Sequence, residues 1–273
     1  MASSVARLVR CAVITAAALF ATVPAFAQIP HPITDAPVVV EFMPRFDWKM
    51  SAAYLSNADE RFQWDTHWAG DLDLFSYPGG RASFLADYQA LLGTEYRPFD
   101  PYQSNYQLEA SGSFFIGKTE VAGVLSHISR HLGDRPKRIA VAENSLGPRI
   151  MQRFGDDAPT SLDVRADVRK VIASAYDDYS WIEEFELVGR RQLNPHAGFY
   201  ARVYGQLIQV HSDLAGRGHQ TGGRLEAGVK LRGSKPEGPA VELFGGSEKM
   251  IDADPLDRVS RGWAYLGFRL LGK

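Results

Sequence analysis

Apolar and polar residues alternate with a period close to two along most of this 273-residue chain. The clearest run is Glu60 to Tyr77. Phe62, Trp64, Thr66, Trp68, Gly70, Leu72 and Leu74 fall on one face of it. Gln63, Asp65, His67, Ala69, Asp71 and Asp73 fall on the other. Alternation of that length predicts a strand with one apolar and one polar face. Pro78-Gly79-Gly80 predicts a turn. Phe84, Ala86, Tyr88, Ala90 and Leu92 then alternate with Ser83, Leu85, Asp87 and Gln89, and Tyr106 to Phe114 repeats the pattern. Between them Glu95–Ser104, with Pro98 and Pro101, is expected to be a loop. Residues 117–145 read as two strands joined by a turn, and 151–159 as a loop. Leu162, Val164, Ala166 and Val168 oppose a ladder of alternating charge, Asp163, Arg165, Asp167 and Arg169.

Further strands are expected over Trp181–Leu193, Phe199–His211, Gln220–Arg232, Ala240–Gly246 and Trp263–Leu271. Gly- and Pro-bearing stretches, including Asp252–Pro255, separate the later ones. Residues 28–45 hold Pro30, Pro32, Pro37 and Pro44 and read as irregular, with room for a short strand at Val38–Phe42. The count is about twelve strands after residue 45, with no helix, no fixed-period repeat and no low-complexity tract. The expected fold class is therefore all-β: an antiparallel, transmembrane-type β-barrel of about twelve strands over residues 46–273. Its lipid face would carry Trp64, Trp68, Phe84, Tyr88, Tyr106 and Leu108. Its lumen would carry Asp65, Asp71, Asp87, Arg165, Asp167, Arg224 and Glu226. Charges of both signs inside suit a plugged or narrow barrel better than a wide pore. The rival is a soluble periplasmic barrel or sandwich, which would turn the apolar faces inward to hold a ligand. One departure from outer-membrane barrels stands at the C-terminus: the last aromatic, Phe268, is five residues short of Lys273.

The first 27 residues follow another pattern. Arg7 and Arg10 precede a short apolar run, Cys11–Phe20, and Ala25-Phe26-Ala27 fits a small-residue cleavage site. This predicts a signal peptide over 1–27, too short in its apolar part for a membrane span. Export removes the only cysteine, Cys11, so disulfides and thiolate chemistry are not expected in the mature chain. The full chain has 30 Lys+Arg and 32 Asp+Glu; without the leader the balance is 28 against 32, or about −4. No basic excess favours nucleic acid as a partner. The expected partner is membrane lipid and the expected location the bacterial outer membrane, with the periplasm as the alternative.

Chemistry is suggested at one place. His127 and Ser129 are two apart on a predicted strand, so both project from the same face. A histidine beside a hydroxyl is the base–nucleophile pairing of covalent catalysis. If the following turn centres between Arg135 and Pro136, His127 opposes Asn144 and Ser129 opposes Ala142. Directly opposed residues share a face, and Val121, Gly123 and Leu125 make it the apolar one. Ser129 would then be the nucleophile, His127 the base and Asn144 the orienting group. A slip of one residue would bring in Glu143 in place of Asn144. His127 and His131, four apart on a strand, lie about 13 Å from each other, too far to share a metal ion without a bend. No cofactor is indicated. G-x-x-x-x-G-K, H-E-x-x-H and G-x-S-x-G motifs are absent, which removes support for nucleotide use, zinc hydrolysis and the usual hydrolase elbow.

The segment His127-Ile-Ser129-Arg-His131-Leu-Gly133-Asp134 resembles a signature of an uncharacterised bacterial family of predicted outer-membrane barrels. At the level of the His-x-Ser pair it is also similar to outer membrane phospholipase A and to lipid A 3-O-deacylase. Those enzymes carry the pair on the outside of a barrel, one orienting its histidine with an asparagine and the other with a glutamate. The resemblance implies a lipid-ester hydrolase reached sideways from the membrane. Here Arg130-His131 follow the serine where phospholipase A has Asn-Gly, and calcium dependence does not carry over. The competing expectation is a non-enzymatic barrel, structural or weakly transporting.

Overall fold

The computed structural model describes residues 32–33, 35–133, 140–155, 159–211, 216–235 and 238–273. The expected signal peptide and the Asp134–Lys137 turn lie outside these residues. Twelve strands follow one another: β1 (Glu41–Ser56), β2 (Trp64–Tyr77), β3 (Gly80–Gly93), β4 (Asp100–Ile116), β5 (Thr119–Leu132), β6 (Val141–Phe154), β7 (Thr160–Ala175), β8 (Tyr179–Asn194), β9 (Ala197–Val210), β10 (Gln220–Arg232), β11 (Ala240–Asp254) and β12 (Val259–Gly272). Each pairs antiparallel with its sequence neighbours. β12 returns to β1 from Trp48–Gly272 to Ser56–Ala264 and closes the barrel. Closure leaves no sheet edge, so every strand can hydrogen-bond on both sides.

Several strands run longer than the alternation indicates, and a ladder irregularity marks most of these places. β1 starts at Glu41 rather than near residue 46, with a register shift between Phe42 and Arg45 and a positive φ of 51° at Met43. β4 starts at Asp100, inside the expected loop, beside a shift at Leu91–Leu92. β11 runs to Asp254, through the expected separator, with a shift between Met250 and Asp254. A bulge puts two residues opposite one and reverses the phase of the pattern, so the period is lost while the strand continues. β6, whose shift lies between Asn144 and Ser145, runs to Phe154 with no shift at that end. There Gln152 on the outward side and Arg153 on the lumenal side are both polar, which removes the contrast between faces.

The barrel is apolar outside and charged inside. Leu125, Ile150, Ile172, Leu243 and Phe268 are exposed on the outer wall, and Leu266 is 72% exposed. So are Trp68, Phe84, Tyr106 and Leu108. A soluble barrel with an inward apolar face is therefore excluded: water would meet a continuous apolar wall around charged contents. Close strand contact on this wall is helped where an aromatic lies over a glycine. Phe185 opposes Gly205, and a Cβ there would come 1.7 Å from the ring. Gly79, at φ +83°, supplies the left-handed residue of the two-residue turn between β2 and β3.

Ion pairs fill the lumen. Arg81 reaches Glu120 at 2.7 Å and Asp73 at 3.2 Å. Arg149 spans from Glu109 to Asp167, the latter at 2.5 Å. Arg169 meets Glu184 at 3.0 Å, and the Tyr204 hydroxyl donates to Glu184 at 2.8 Å. On the β10–β12 side of the wall Arg269 holds Glu226 at 3.1 Å and Glu242 at 2.6 Å. Buried charges persist when paired and hydrogen-bonded in this way. The charged ladder of β7 lies in the lumen, as its alternation predicts.

The two ends of the barrel differ. The end that carries both chain termini has two-residue turns at 78–79, 117–118 and 195–196. The other, the loop end, is filled from within among the described residues. Met250, Ile251, Asp252, Ala253 and Asp254 are all buried in succession, with Asp252 at a positive φ of 47°. Phe62 does not stay on the lipid face; it lies in the β1–β2 loop, 1% exposed, against Tyr102 and Trp263 at 5.2 and 5.7 Å between ring centres. Asp254 accepts from Arg61 at 2.7 Å and from the Tyr102 hydroxyl. Asp252 accepts from the Tyr179 hydroxyl at 2.7 Å and from Arg217 at 2.8 and 2.7 Å. Arg130 donates to the Asp252 carbonyl at 2.9 Å from the opposite wall.

Candidate functional site

The β5–β6 hairpin places the chemistry-bearing residues on the outer wall. His127 opposes Asn144 and Ser129 opposes Ala142. This is the register that a turn centred at Arg135–Pro136 requires. Ala122, Val124, Ser126, Ile128 and Arg130 are buried on the lumenal side. Val121, Gly123, Leu125, His127, Ser129 and His131 therefore look outward.

Two hydrogen-bonded pairs form on that face. Nδ1 of His127 lies 2.9 Å from Oδ1 of Asn144, so an Nδ1–H donates to the amide oxygen. This fixes the ring and leaves Nε2 as its second nitrogen. Ser129 Oγ lies 2.5 Å from Nε2 of His131. In the tautomer whose Nε2 is bare, the serine hydroxyl donates to it. The histidine bonded to Ser129 is thus His131, not His127. The reason is local. His127 has a cross-strand amide directly opposite and turns toward it. His131 lies one residue beyond the last β5–β6 pair, Arg130–Val141, and its ring meets Ser129 on its own strand.

Glu143, the alternative orienting residue, does not join the group. It faces the lumen, 4% exposed, and its Oε2 has no hydrogen-bond partner. The strand parity that brings Asn144 outward sends Glu143 inward. Among the described residues, no three His, Cys, Asp or Glu side chains are grouped to hold a metal ion.

A further set of residues belongs to this face. Trp68 opposes Tyr88, Tyr88 opposes Tyr106, and Tyr106 opposes Ser129. Their rings follow one another at 5.6 and 5.0 Å, and Tyr106 meets the His131 ring edge-on at 5.4 Å. The Tyr88 hydroxyl is 3.0 Å from Ser104 Oγ. Four strands thus present Trp, Tyr, Tyr and Ser in one cross-strand row, on the loop-end side of the wall. Each aromatic is visible in the sequence as an outward residue. Their alignment depends on the registers of three successive ladders.

The closed antiparallel barrel, with lipid-facing apolar residues outside and ion pairs inside, is an outer-membrane-type β-barrel. No family model matches the chain, and no curated protein matches it. Among solved structures, an outer membrane channel from Pseudomonas putida F1 is similar with a TM-score of 0.50 and 11% identity, over 90% of this chain and 99% of that one. The outer membrane protein Omp33 of Acinetobacter baumannii matches at a TM-score of 0.41 and 10% identity, over 85% of this chain and 98% of its own. The outer membrane channel DcaP of the same organism matches at 0.41 and 10%, over 85% and 96%. The likeness to the Pseudomonas channel is one of fold.

Proposed function

We propose that this protein is a bacterial outer-membrane barrel that cleaves lipid esters on its outer wall. The observation that carries the reading is the Ser129–His131 contact of 2.5 Å, outward-facing and in line with Trp68, Tyr88 and Tyr106. Aromatic rows sit at the headgroup level of a bilayer, which is where the ester bonds of membrane lipids lie. In outer-membrane barrels the termini and short turns face the periplasm, so this row belongs to the outer leaflet.

The step follows from the geometry. Ser129 Oγ attacks the ester carbonyl carbon while its proton passes to Nε2 of His131. The C–O bond to the leaving alcohol breaks and that oxygen takes the proton. Water, deprotonated by the same nitrogen, then bonds the acyl carbon; the C–Oγ bond breaks, the fatty acid leaves, and Oγ of Ser129 takes the proton back from His131. His127, held by Asn144, lies on the same face and borders the substrate.

A non-enzymatic barrel is the second reading, and the ion-paired lumen filled at its loop end supports it. One assay separates the two: fatty-acid release from outer-membrane lipids by the detergent-folded protein and by Ser129→Ala. Release that the variant loses supports the hydrolase. A folded, heat-modifiable barrel that releases nothing, or a variant as active as its parent, rejects it.

A further inference from the structure

On strands β7 to β11 the lipid-facing wall turns polar as it nears the loop end. Arg169, Ile182, Ile208 and Glu248 are buried on the lumenal side, so Lys170, Trp181, Glu183, Gln209 and Lys249 look outward. Lys170 opposes Trp181, and Trp181 opposes Gln209. Thr221 opposes Leu207, which itself opposes Glu183. Trp181, Gln209 and Thr221 stand within three residues of the loop ends of β8, β9 and β10. We propose that this patch binds the headgroup of an outer-leaflet glycolipid, a saccharide that carries phosphate groups. The patch lies away from Ser129 on β5, and the proposal does not rest on the lipid-ester reading.

The contacts within the patch leave its chemistry open to a ligand. Gln209 Nε2 donates to Glu183 Oε1 at 2.8 Å. This holds both side chains in place and leaves Glu183 Oε2 and Gln209 Oε1 as acceptors. Lys170 Nζ lies 6.0 Å from the Trp181 ring centre, and Lys249 Nζ reaches Thr221 Oγ1 at 3.4 Å. Among the described residues neither ammonium is within ion-pair distance of a carboxylate. Charged groups on a lipid-facing wall are costly against hydrocarbon and mark a polar partner. Each part of the patch names a part of that partner. The ammonium groups suit phosphate. The fixed acceptors suit sugar hydroxyls. Trp181, 39% exposed, offers a flat apolar surface to one face of a sugar ring. Lysines that only snorkel toward water need no such neighbours. The Glu183–Gln209 pair is not explained that way, because Glu183 lies two residues further from the loop end than Trp181. A plain phosphodiester lipid would use the lysines alone.

The test is lipid retention by the detergent-folded protein, counted by native mass spectrometry. Ser129→Ala serves as the parent, so that no ester is cut during the measurement. The probes are lipid A, the same glycolipid stripped of its phosphates, and phosphatidylglycerol. Lipid A should bind about tenfold more tightly than either of the others. The triple variant Lys170→Gln, Trp181→Leu, Lys249→Gln should weaken lipid A binding about tenfold or more. Trp181→Leu alone, an apolar exchange on the lipid-facing wall, should weaken lipid A and leave phosphatidylglycerol unchanged. Three results overturn the proposal: equal retention of lipid A and phosphatidylglycerol, equal retention of the phosphate-free glycolipid, or lipid A binding that the triple variant keeps. The altered side chains all face outward, and a variant as heat-modifiable as its parent ties the loss to the patch and not to the fold. Fatty-acid release is a separate readout, so failure of either test leaves the other standing.

Discussion

Ser129 Oγ lies 2.5 Å from Nε2 of His131, while the neighbouring His127 is hydrogen-bonded to Asn144 at 2.9 Å. The two histidines flank one serine at equal spacing, yet only one can take its proton. His131→Ala should therefore lower ester cleavage about 10²–10⁴-fold, the usual worth of a general base. Asn144→Ala removes one hydrogen bond that orients a bystander ring and should cost at most about tenfold. Rates of fatty-acid release from the two variants check this. The reverse ranking would return the base role to His127.

The outward wall makes a prediction about stability in membranes. Leu266 sits near the middle of β12 and is 72% exposed. Leu266→Arg should destabilise the folded barrel by about 2–4 kcal/mol in a bilayer, as arginine does at the midplane of barrel walls. Folding titrations in lipid vesicles measure it. A neutral effect would contradict a lipid-facing wall at that position.

The lumen responds differently. Arg149 is 1% exposed and joins Glu109 on β4 to Asp167 on β7. Arg149→Met takes from Glu109 its ion pair with Arg149, while Asp167 keeps Arg165 at 3.0 Å and Arg169 at 3.4 Å. The expected loss is about 3–5 kcal/mol, the cost of breaking a buried pair on one side. Denaturant unfolding in detergent gives the value. A loss under about 1 kcal/mol would mean that water reaches this part of the lumen.

The packing of the loop end has a pH window. Asp178, in the loop between β7 and β8, is buried, which favours its neutral form. Arg217 and Arg258 outweigh that and hold its carboxyl below the usual value of 3.8. A depressed folded-state value stabilises the packed form above the ordinary value, and the contribution is lost as pH falls through the lowered one. Conductance of the reconstituted protein should stay low from neutral pH down to about pH 4 and rise only in stronger acid. Asp178→Asn should raise it already at neutral pH. A rise between pH 7 and pH 5 in the parent would point to another group.

Much of the wall is legible in the sequence. The side of each residue follows from its immediate neighbours, because successive side chains in a pleated strand point to opposite faces. Trp68, Phe84, Tyr106 and Leu108 outside, and Asp71, Asp87 and Asp167 inside, are read in this way, and so is the number of strands. The His127–Asn144 register is also the one that the sequence suggests.

What tertiary structure alone decides are the relationships that depend on distant residues. The cross-strand row of Trp68, Tyr88, Tyr106 and Ser129 is the product of three ladder registers, each with its own turn or loop. The inward course of Met250–Asp254 depends on a bulge, on left-handed backbone at Asp252, and on partners as remote as Arg61, Arg130 and Arg217. That Ser129 meets His131 while His127 meets Asn144 is likewise a choice of side-chain rotamers made in the folded barrel. Alternation encodes which way a side chain points; which atom it meets is set by closure of the barrel, and that joins residues from β1 to β12.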